Sequence, residues 1–270
     1  MRTPERLRHH YEVEQGLAAR LRTASRDERP ALYRAVYEDL FRLVPDHPQL
    51  ARRRAREDLA PELRLLGPHL DADTTLLELG AGDCALSLEV SRRVKQVFAL
   101  DVSETITDAI DPPDNLTVIV HDGCTIPLAP QSVDVAYSNQ LLEHLHPDDA
   151  LEQLESLRRV LKPGGICLCV TPNRLSGPHD ISQYFDEEAT GLHLKEYTTG
   201  EVRALFRRAG FPHCHSYAMV RGRNRRLPTL VPIALEKALM RCPGSVRKRL
   251  VSRAPVVSLL GVQLAAVRLG

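Results

Sequence analysis

The chain has 270 residues, of which 43% are hydrophobic and 26% are charged, and its 36 Lys and Arg residues nearly balance its 35 Asp and Glu residues. This composition is typical of a soluble globular protein with one main domain and additions, and no repeat or low-complexity tract argues for a fibrous or disordered class. The near-zero net charge neither favours nor excludes a nucleic-acid partner.

The charge is nevertheless unevenly distributed along the chain. Residues 218–253 contain ten basic residues and a single acid, Glu236, so a basic module, here residues 218–254, follows an acidic body. The six cysteines show no paired C-x-x-C spacing, which favours reduced thiols and a cytoplasmic location.

The first 70 residues are predicted to form a helical cap. Leucine and valine recur there at helical spacing, with boundaries near Pro30 and Pro45, and residues 49–66 form a third candidate helix. Tyr33 and Tyr37 share one helix face, a pattern more typical of core packing than of a binding site.

From residue 74 onward, short apolar runs alternate with amphipathic stretches, which predicts a parallel, doubly wound sheet. The predicted strands are 75–79, 96–100, 116–120, 133–138, 165–171, 211–220 and 256–267. The predicted helices are 84–94, 103–110, 147–161 and 199–209. The basic module falls between the last two strands and is predicted to be helical.

A glycine-rich bend follows the first predicted strand. Residues 76–85 read LLELGAGDCA, and glycine in such a bend lets a ligand approach the backbone closely because no Cβ intervenes. Gly80, Gly82 and Ala85 also satisfy the dinucleotide pattern G-x-G-x-x-G/A, so the bend alone leaves a nicotinamide dinucleotide open.

Carboxylates at the ends of three predicted strands narrow the choice of ligand. Glu78 ends the first strand, where it would repel a pyrophosphate but attract the amino group of a zwitterionic ligand. Asp101 ends the second strand, at the usual distance for an acid that accepts hydrogen bonds from ribose hydroxyls. Asp122 follows the third, where an adenine amino group could donate to it. The order of these groups favours an amino-acid nucleoside.

Together these segments resemble the class I S-adenosylmethionine-dependent methyltransferase superfamily, most closely its ubiquinone- and menaquinone-pathway-like branch (methyltransferase types 11 and 12). The resemblance covers about residues 76–211 plus the last strand. It rests on ELGAG at 78–82, LD at 100–101, HDG at 121–123, SNQLLEHL at 138–145 and LKPGG at 161–165. The chain departs from the pattern at Cys84, where the family often has a third glycine.

The resemblance implies an α/β, Rossmann-like, doubly wound sheet of seven strands, mostly parallel with an antiparallel last strand. The predicted parts are an N-terminal helical cap at 1–70, a cofactor-binding core at 71–217, a basic helical insertion at 218–254 and the last strand at 255–270. S-adenosyl-L-methionine is the implied cofactor. The residues expected to bind it are Glu78, Gly80, Ala81, Gly82, Asp101, Val102, Asp122, Gly123, Asn139 and Gln140.

Candidate groups for the transfer step lie at the carboxyl edge of the predicted sheet. Glu143, His144 and His193 are the residues expected to act, and His193 is the candidate general base that a hydroxyl acceptor would need. Glu143 and His144 could also be a purely structural hydrogen-bonding pair. No metal is expected. The alternative is a likeness to metal-using methyltransferases with an E-x-x-E-H motif and a later His, in which Gln140 replaces the first Glu and is the poorer ligand.

The implied activity is transfer of a methyl group to a small-molecule, lipid-linked or glycoconjugate acceptor, preferentially at an oxygen. The alternatives are methylation of RNA or protein and non-catalytic binding of the donor. Aromatic residues make up only 4% of the chain and Trp is absent, so base-stacking surfaces are scarce and no nucleic-acid partner is expected. The amphipathic basic module leaves peripheral membrane contact open.

Overall fold

The computed structural model describes residues 2–52, 58–104, 111–220, 223–253 and 256–269. Helices α1 Pro4–Thr23, α2 Arg29–Leu43, α3 Pro48–Arg52 and α4 Ala60–Leu66 precede the sheet. Pro30 lies in the first turn of α2, a position that needs no amide hydrogen. The helix predicted over 49–66 is represented by α3 and α4, and residues 53–57 lie outside the described part.

Eight strands form one sheet in the described part of the chain. They are β1 Thr75–Leu79, β2 Gln96–Asp101, β3 Leu116–Val120, β4 Val133–Asn139, β5 Leu161–Thr171, β6 His213–Val220, β7 Arg223–Pro228 and β8 Val262–Val267. Their order is β3-β2-β1-β4-β5-β8-β6-β7. Strands β1 to β5 are parallel, β8 runs antiparallel between β5 and β6, and β7 pairs antiparallel with β6. The Rossmann-like class is thus confirmed, with eight strands rather than seven.

The remaining helices follow the sheet strands in chain order. They are α5 Ala85–Ser91, α6 Pro147–Val160, α7 Thr199–Arg208, α8 Leu230–Met240, α9 Gly244–Val251 and α10 Val256–Leu260. The first three match predicted helices with small changes at their ends. The helix predicted over 103–110 lies outside the described residues beyond Glu104. No helix among the described residues has the length and apolar content needed to cross a membrane.

Two elements near the C-terminus differ from the sequence prediction. The segment predicted as a helical insertion contributes strand β7, an edge strand that pairs on one side only and so lacks the buried apolar run of a central strand. The last strand, predicted from residue 256, begins at Val262 because residues 256–260 form α10. Leu260 packs there with Leu239 and Val251, and a short apolar run does not distinguish helix from strand.

The sheet separates two apolar layers. Leu77 and Leu79 of β1 pack in the layer that contains α1, α2, α6 and α7, whereas Leu76 packs in the layer that contains α4 and α5. This alternation buries the central strand on both faces, as expected for a parallel sheet between helices. The carboxyl ends of β1, β2, β4 and β5 therefore meet at one edge, where loops and N-terminal helices can cover them.

Candidate active site

The bend after β1 is fastened to the neighbouring strand. The amides of Gly80 and Ala81 both donate to the carbonyl of Leu100, at 2.8 and 3.0 Å. Gly80 and Gly82 have φ angles of 71° and 55°, which glycine adopts at little cost. Cys84 has a φ of 59° and is fully buried, so the position where the family often has glycine does take a left-handed backbone here.

Two carboxylates flank this bend, one buried and one partly buried. Asp101 Oδ2 accepts a hydrogen bond from the Gly82 amide at 2.8 Å, and its Oδ1 accepts from Val102 and Ser103 at 2.8 and 3.0 Å. Glu78, at the tip of β1, is only 7% exposed and accepts from the Ser87 hydroxyl.

Burial raises the pKa of both carboxyl groups. The pKa of Glu78 rises to about 8, with the negative charges of Asp83 and Asp101 adding to the effect of burial. The pKa of Asp101 is raised by burial in spite of three backbone donors. Neither group forms an ion pair with a basic side chain in the described part of the chain. Such a site is suited to a ligand that carries its own positive charge.

Two cavities meet at the bend and share Gln49, Gly80, Gly82 and Gln140. Six predicted donor-binding residues line the first cavity: Gly80, Gly82, Asp101, Val102, Gly123 and Gln140. Three more line the second: Glu78, Ala81 and Asn139. Between them, the two cavities are lined by nine of the ten residues that the sequence points to, which come from β1 and the bend after it, β2 and its end, β4 and its end, and the loop after β3.

Asp122 is the exception, because it does not line either cavity. Its Oδ1 accepts hydrogen bonds from the amides of Cys124 and Thr125 at 2.8 and 2.9 Å, so the carboxylate closes the turn after β3. Its neighbours His121 and Gly123 line the first cavity instead. The role of Asp122 as an acceptor for adenine stays a prediction.

The N-terminal cap contributes residues to the site that the sequence did not reveal. Tyr33 and Tyr37, interpreted from their spacing as core residues, both line the first cavity, and Gln49 lines both cavities. The Tyr33 hydroxyl donates to Asp149 at 2.7 Å and accepts from the His146 amide at 2.8 Å. Helical spacing shows which residues share a face of a helix, but it does not show whether that face packs in the core or lines a cavity. The sequence therefore contains no signal that Tyr33, Tyr37 and Gln49 belong to the site.

The three predicted catalytic residues come together beside the first cavity, although only His144 lines it. The rings of His144 and His193 are 4.7 Å apart and nearly perpendicular. His144 Nδ1 lies 3.0 Å from the Leu192 carbonyl, to which it donates, and His193 Nδ1 lies 2.8 Å from Glu196 Oε1. Each ring is therefore oriented through Nδ1, which leaves Nε2 as the atom with a free lone pair.

His144 and His193 have pKa values that are shifted in opposite directions by their surroundings. Burial and the neighbouring His193 lower the pKa of His144 to about 3, so this ring is neutral. Burial alone would lower the pKa of His193 too, but the hydrogen bond to Glu196 and the charge of Glu143 outweigh it and raise that pKa. Glu143 is fully buried, burial raises its pKa, and its Oε2 accepts from the Thr171 hydroxyl at 2.8 Å.

Among the residues that the structure describes, two clusters have the spacing to hold a cation. The ligand atoms of Glu143, His144 and His193 lie within 4.8 Å of one another, and so do those of a second cluster in the N-terminal cap. The second cluster consists of His10, Glu14 and His47. The expectation that no metal is used stays a prediction.

Helix α1 clamps the loop that carries His193. Glu14 Oε2 accepts from the Leu192 amide at 3.1 Å, and its Oε1 accepts from His10 Nε2 at 2.6 Å. Arg22 donates to the carbonyls of Thr190, Gly191 and His193. The backbone of Leu192 thus donates to Glu14 through its N–H and accepts from His144 through its carbonyl oxygen. Through these bonds the N-terminal cap positions the histidine pair.

Comparison with known proteins agrees with this geometry. Residues 77–169 match the methyltransferase domain family. A protein of Mycolicibacterium smegmatis named as a probable S-adenosylmethionine-dependent methyltransferase is 32% identical over 147 residues, 53% of this chain and 54% of that one. The malonyl-[acyl-carrier protein] O-methyltransferase of Xylella fastidiosa is 29% identical over 131 residues, 45% of this chain and 42% of that one. The chain spans about half the length of these curated relatives.

A solved structure shares the fold. A chain of the complex between the Haloferax volcanii Trm112 methyltransferase activator and a methyltransferase superposes with a TM-score of 0.57 at 22% identity, covering 82% of this chain and 94% of that one. This likeness shows the fold, and the family match at residues 77–169 supports the predicted resemblance to the class I S-adenosylmethionine-dependent methyltransferase superfamily. The matches do not single out the ubiquinone- and menaquinone-pathway branch.

Proposed function

We propose that this protein is an S-adenosylmethionine-dependent methyltransferase that methylates an oxygen of a small-molecule, lipid-linked or glycoconjugate acceptor. The observation that carries the proposal is the pair of adjacent cavities around the glycine bend, lined by the buried Glu78 and the partly buried Asp101, whose carboxylates lack a cationic partner in the described chain. That charge pattern complements a ligand with an ammonium and a sulfonium group.

We propose one orientation of the donor in these cavities. Glu78 in the second cavity would bind the ammonium group, and Asp101 in the first would accept from the ribose hydroxyls. Val102 and Gly123 would flank the base. The shared residues Gly80 and Gln140 then lie where the two cavities meet, between the nucleoside and amino-acid ends.

When bound, S-adenosylmethionine supplies a methyl carbon that its sulfonium activates for displacement, with the bonding pair leaving on sulfur. The protein aligns an acceptor oxygen with that carbon and excludes water, which is where most of the rate gain arises. In this proposal the general base is His193, which Glu196 orients through Nδ1 and which takes the hydroxyl proton directly at Nε2. The neutral ring of His144 lines the cavity beside it and takes no proton. Glu143 supports the pair through its negative charge.

An oxygen acceptor is supported by two observations. A base is required for a hydroxyl but not for a stronger nucleophile, and the site contains an oriented carboxylate–histidine pair. The Xylella fastidiosa relative is an O-methyltransferase that acts on a malonyl group linked to a carrier protein.

The test begins with calorimetry of the purified protein against S-adenosylhomocysteine and NAD, followed by transfer of a labelled methyl group to pools of metabolites, lipids, RNA and protein. Binding of S-adenosylhomocysteine and labelling of a small or lipid-linked molecule are expected. Heat with NAD alone would contradict the donor assignment. Binding without labelling of any pool would indicate a non-catalytic donor-binding protein.

The variant His193→Ala separates catalysis from binding. We expect it to retain affinity for S-adenosylhomocysteine, because His193 lines neither cavity, and to lose turnover by about 100-fold, the typical contribution of a general base. Unchanged turnover would remove His193 from the mechanism without affecting the donor assignment.

A further inference from the structure

The basic module packs against the helix that follows it and is attached to the rest of the chain through a buried acid. Leu239 of α8, Val251 of α9 and Leu260 of α10 form a small buried cluster. The single acid of the module, Glu236, is only 2% exposed and accepts hydrogen bonds from the Asn173 side chain and from the Thr199 and Gly200 amides. Because this carboxylate is directed inward, no acid of the module contributes to its outer face in the described part.

The outer face exposes aliphatic side chains. Of the nine large hydrophobic residues that are exposed in the described chain, five lie in the module, so the exposure is concentrated there. They are Val220, Leu230, Val231, Met240 and Val246. On α8, Leu230 is 64% exposed and lies on the same face as Ala234, Lys237 and Arg241, which are also exposed.

Cations surround these aliphatic side chains. The described residues of the module carry Arg223, Arg225, Arg226, Lys237, Arg241, Arg247, Lys248, Arg249 and Arg253. Within the described ranges, only Lys248 of this set forms an ion pair, with the exposed Glu187. Exposed aliphatic groups beside cations without partners match a surface that is anionic outside and apolar beneath.

We propose that the outer face of the basic module, centred on α8 and α9, docks this protein on an anionic lipid bilayer. The composition distinguishes a bilayer from RNA. Residues 218–254 contain no Phe, Tyr, Trp or His, so this face offers no aromatic platform on which bases could stack. Leu230, on the face of α8 that also carries Lys237 and Arg241, instead supplies an aliphatic group that enters the headgroup region.

The docked orientation would bring a third cavity to the membrane side. This cavity lies between the module and the loop after β5, and it is lined by Met240, Arg247 and Lys248 from the module and by Lys195 and Glu196 from the loop. Glu196 also binds His193, the proposed base. If the proposed methyl transfer is correct, a lipid-linked acceptor would approach His193 from this side; the docking itself does not depend on that activity.

Docking is tested by co-sedimentation of the full chain with vesicles. Binding is expected to vesicles that contain phosphatidylglycerol, to weaken as salt is raised, and to be absent with phosphatidylcholine alone. The triple variant Lys237→Glu, Arg241→Glu, Arg249→Glu is expected to reduce the bound fraction about tenfold or more. The matched control reverses two exposed cations on α5's C-terminal side, Arg92→Glu and Arg93→Glu, and is expected to bind as the unmodified chain does.

A second experiment tests insertion of the aliphatic groups. The chain has no Trp, so Leu230→Trp introduces a single fluorophore into the proposed face, and Leu43→Trp places one at another exposed leucine outside it. A blue shift on anionic vesicles is expected for Leu230→Trp and none for Leu43→Trp. Circular dichroism and S-adenosylhomocysteine binding establish that each variant is folded.

Three outcomes would overturn the proposal. They are no binding to anionic vesicles at low salt, equal binding to phosphatidylcholine, and equal loss in the Arg92 and Arg93 control. Binding of RNA in place of vesicles, abolished by the same triple variant, would assign the face to nucleic acid instead. None of these outcomes bears on methyl transfer, which is measured without vesicles.

Discussion

The surroundings shift the pKa of Glu78 and Asp101, at one end of the candidate site, and of Glu14 and Glu196, at the other, in opposite directions. Glu143, beside the histidines, resembles the first two, because burial raises its pKa. At the glycine bend, burial raises the pKa of Glu78 and Asp101, and no basic side chain of the described chain neutralises them. Near the histidine pair, burial also works against ionisation, but hydrogen bonds from histidines outweigh it and lower the pKa of Glu14 and Glu196, the latter to about 2.

This difference in pKa indicates that the carboxylates at the glycine bend bind a ligand, whereas those near the histidines hold protein groups in position. A carboxylate without a counter-charge gains most when a cationic ligand arrives, so the bend is built to bind. A carboxylate already paired with histidine gains nothing further from a cation and instead holds its partners in place. The first end therefore depends on the donor for its charge balance, and the second is arranged before any substrate binds.

The largest expected effect is the loss of stability on removing Glu14, which holds the loop near the histidine pair. Glu14→Ala removes the acceptor of His10 and of the Leu192 amide, and loss of one partner of a buried pair lowers the free energy of unfolding by about 3 to 5 kcal/mol. Denaturant unfolding measures it. Glu12→Ala, an exposed glutamate on the same helix, is the control and should change the free energy little.

The pH dependence of that loss has a definite sign. The pKa of Glu14 is lowered from 4.5 on folding, so its contribution is present above pH 4.5 and is lost as the pH falls through the folded value. The difference between the two chains should therefore shrink on acidification. A difference that grows instead would mean that Glu14 is protonated in the folded chain.

A smaller effect is expected at the first end. Asp101→Ala removes the acceptor of three backbone amides and of the proposed ribose contact, and we expect affinity for S-adenosylhomocysteine to fall about 100-fold. Calorimetry measures this, with the exposed Asp73→Ala as control. Unaltered affinity would place the nucleoside elsewhere.

The charge balance of the bend predicts a pH-dependent affinity. Because the pKa of Glu78 is about 8 in the free protein, binding an ammonium group below that pH must release a proton. The affinity for S-adenosylhomocysteine should then rise by up to about tenfold per pH unit until pH 8. Glu78→Gln should bind more weakly at pH 8 and show a flatter profile. An equal slope in both proteins would assign the titration to another group.

The smallest effect is expected from metal removal. Chelation should leave the affinity for S-adenosylhomocysteine unchanged, since neither cation-sized cluster contributes a predicted donor contact. Elemental analysis and activity before and after chelation complete the test. If activity falls and a divalent cation restores it, the expectation of no metal is wrong and Glu143, His144 and His193 are the ligand candidates.

The sequence predicts the first end well because its information is local. Strands β1 and β3 have the predicted bounds, and the bend with Glu78 and Asp101 lies where the strand pattern puts it. A strand end, a glycine and an acid within a short stretch constrain one another, so their spacing carries the geometry.

The part of the site near the histidine pair is built from residues that are far apart in the sequence, so no local sequence pattern predicts it. Glu14 and Leu192 are 178 positions apart, and Tyr33 reaches Asp149 across 116. A histidine in a loop has no period, and a tyrosine on an amphipathic helix carries the same signal whether it packs in the core or lines a cavity. Strand β7 was missed for a related reason, because an edge strand rich in Arg lacks the apolar alternation of a half-buried one.

The contacts of Glu236 make the basic module difficult to remove or replace without loss of stability. Its carboxylate accepts from two amides at the start of α7 and from the side chain of Asn173. Removal of the module would leave the two amides without this acceptor and the Asn173 side chain with only the Leu260 carbonyl. A shortened chain would need replacement acceptors at both places before it could fold well. Lineages that vary this segment should therefore keep an acid at its inner side while the outer residues drift.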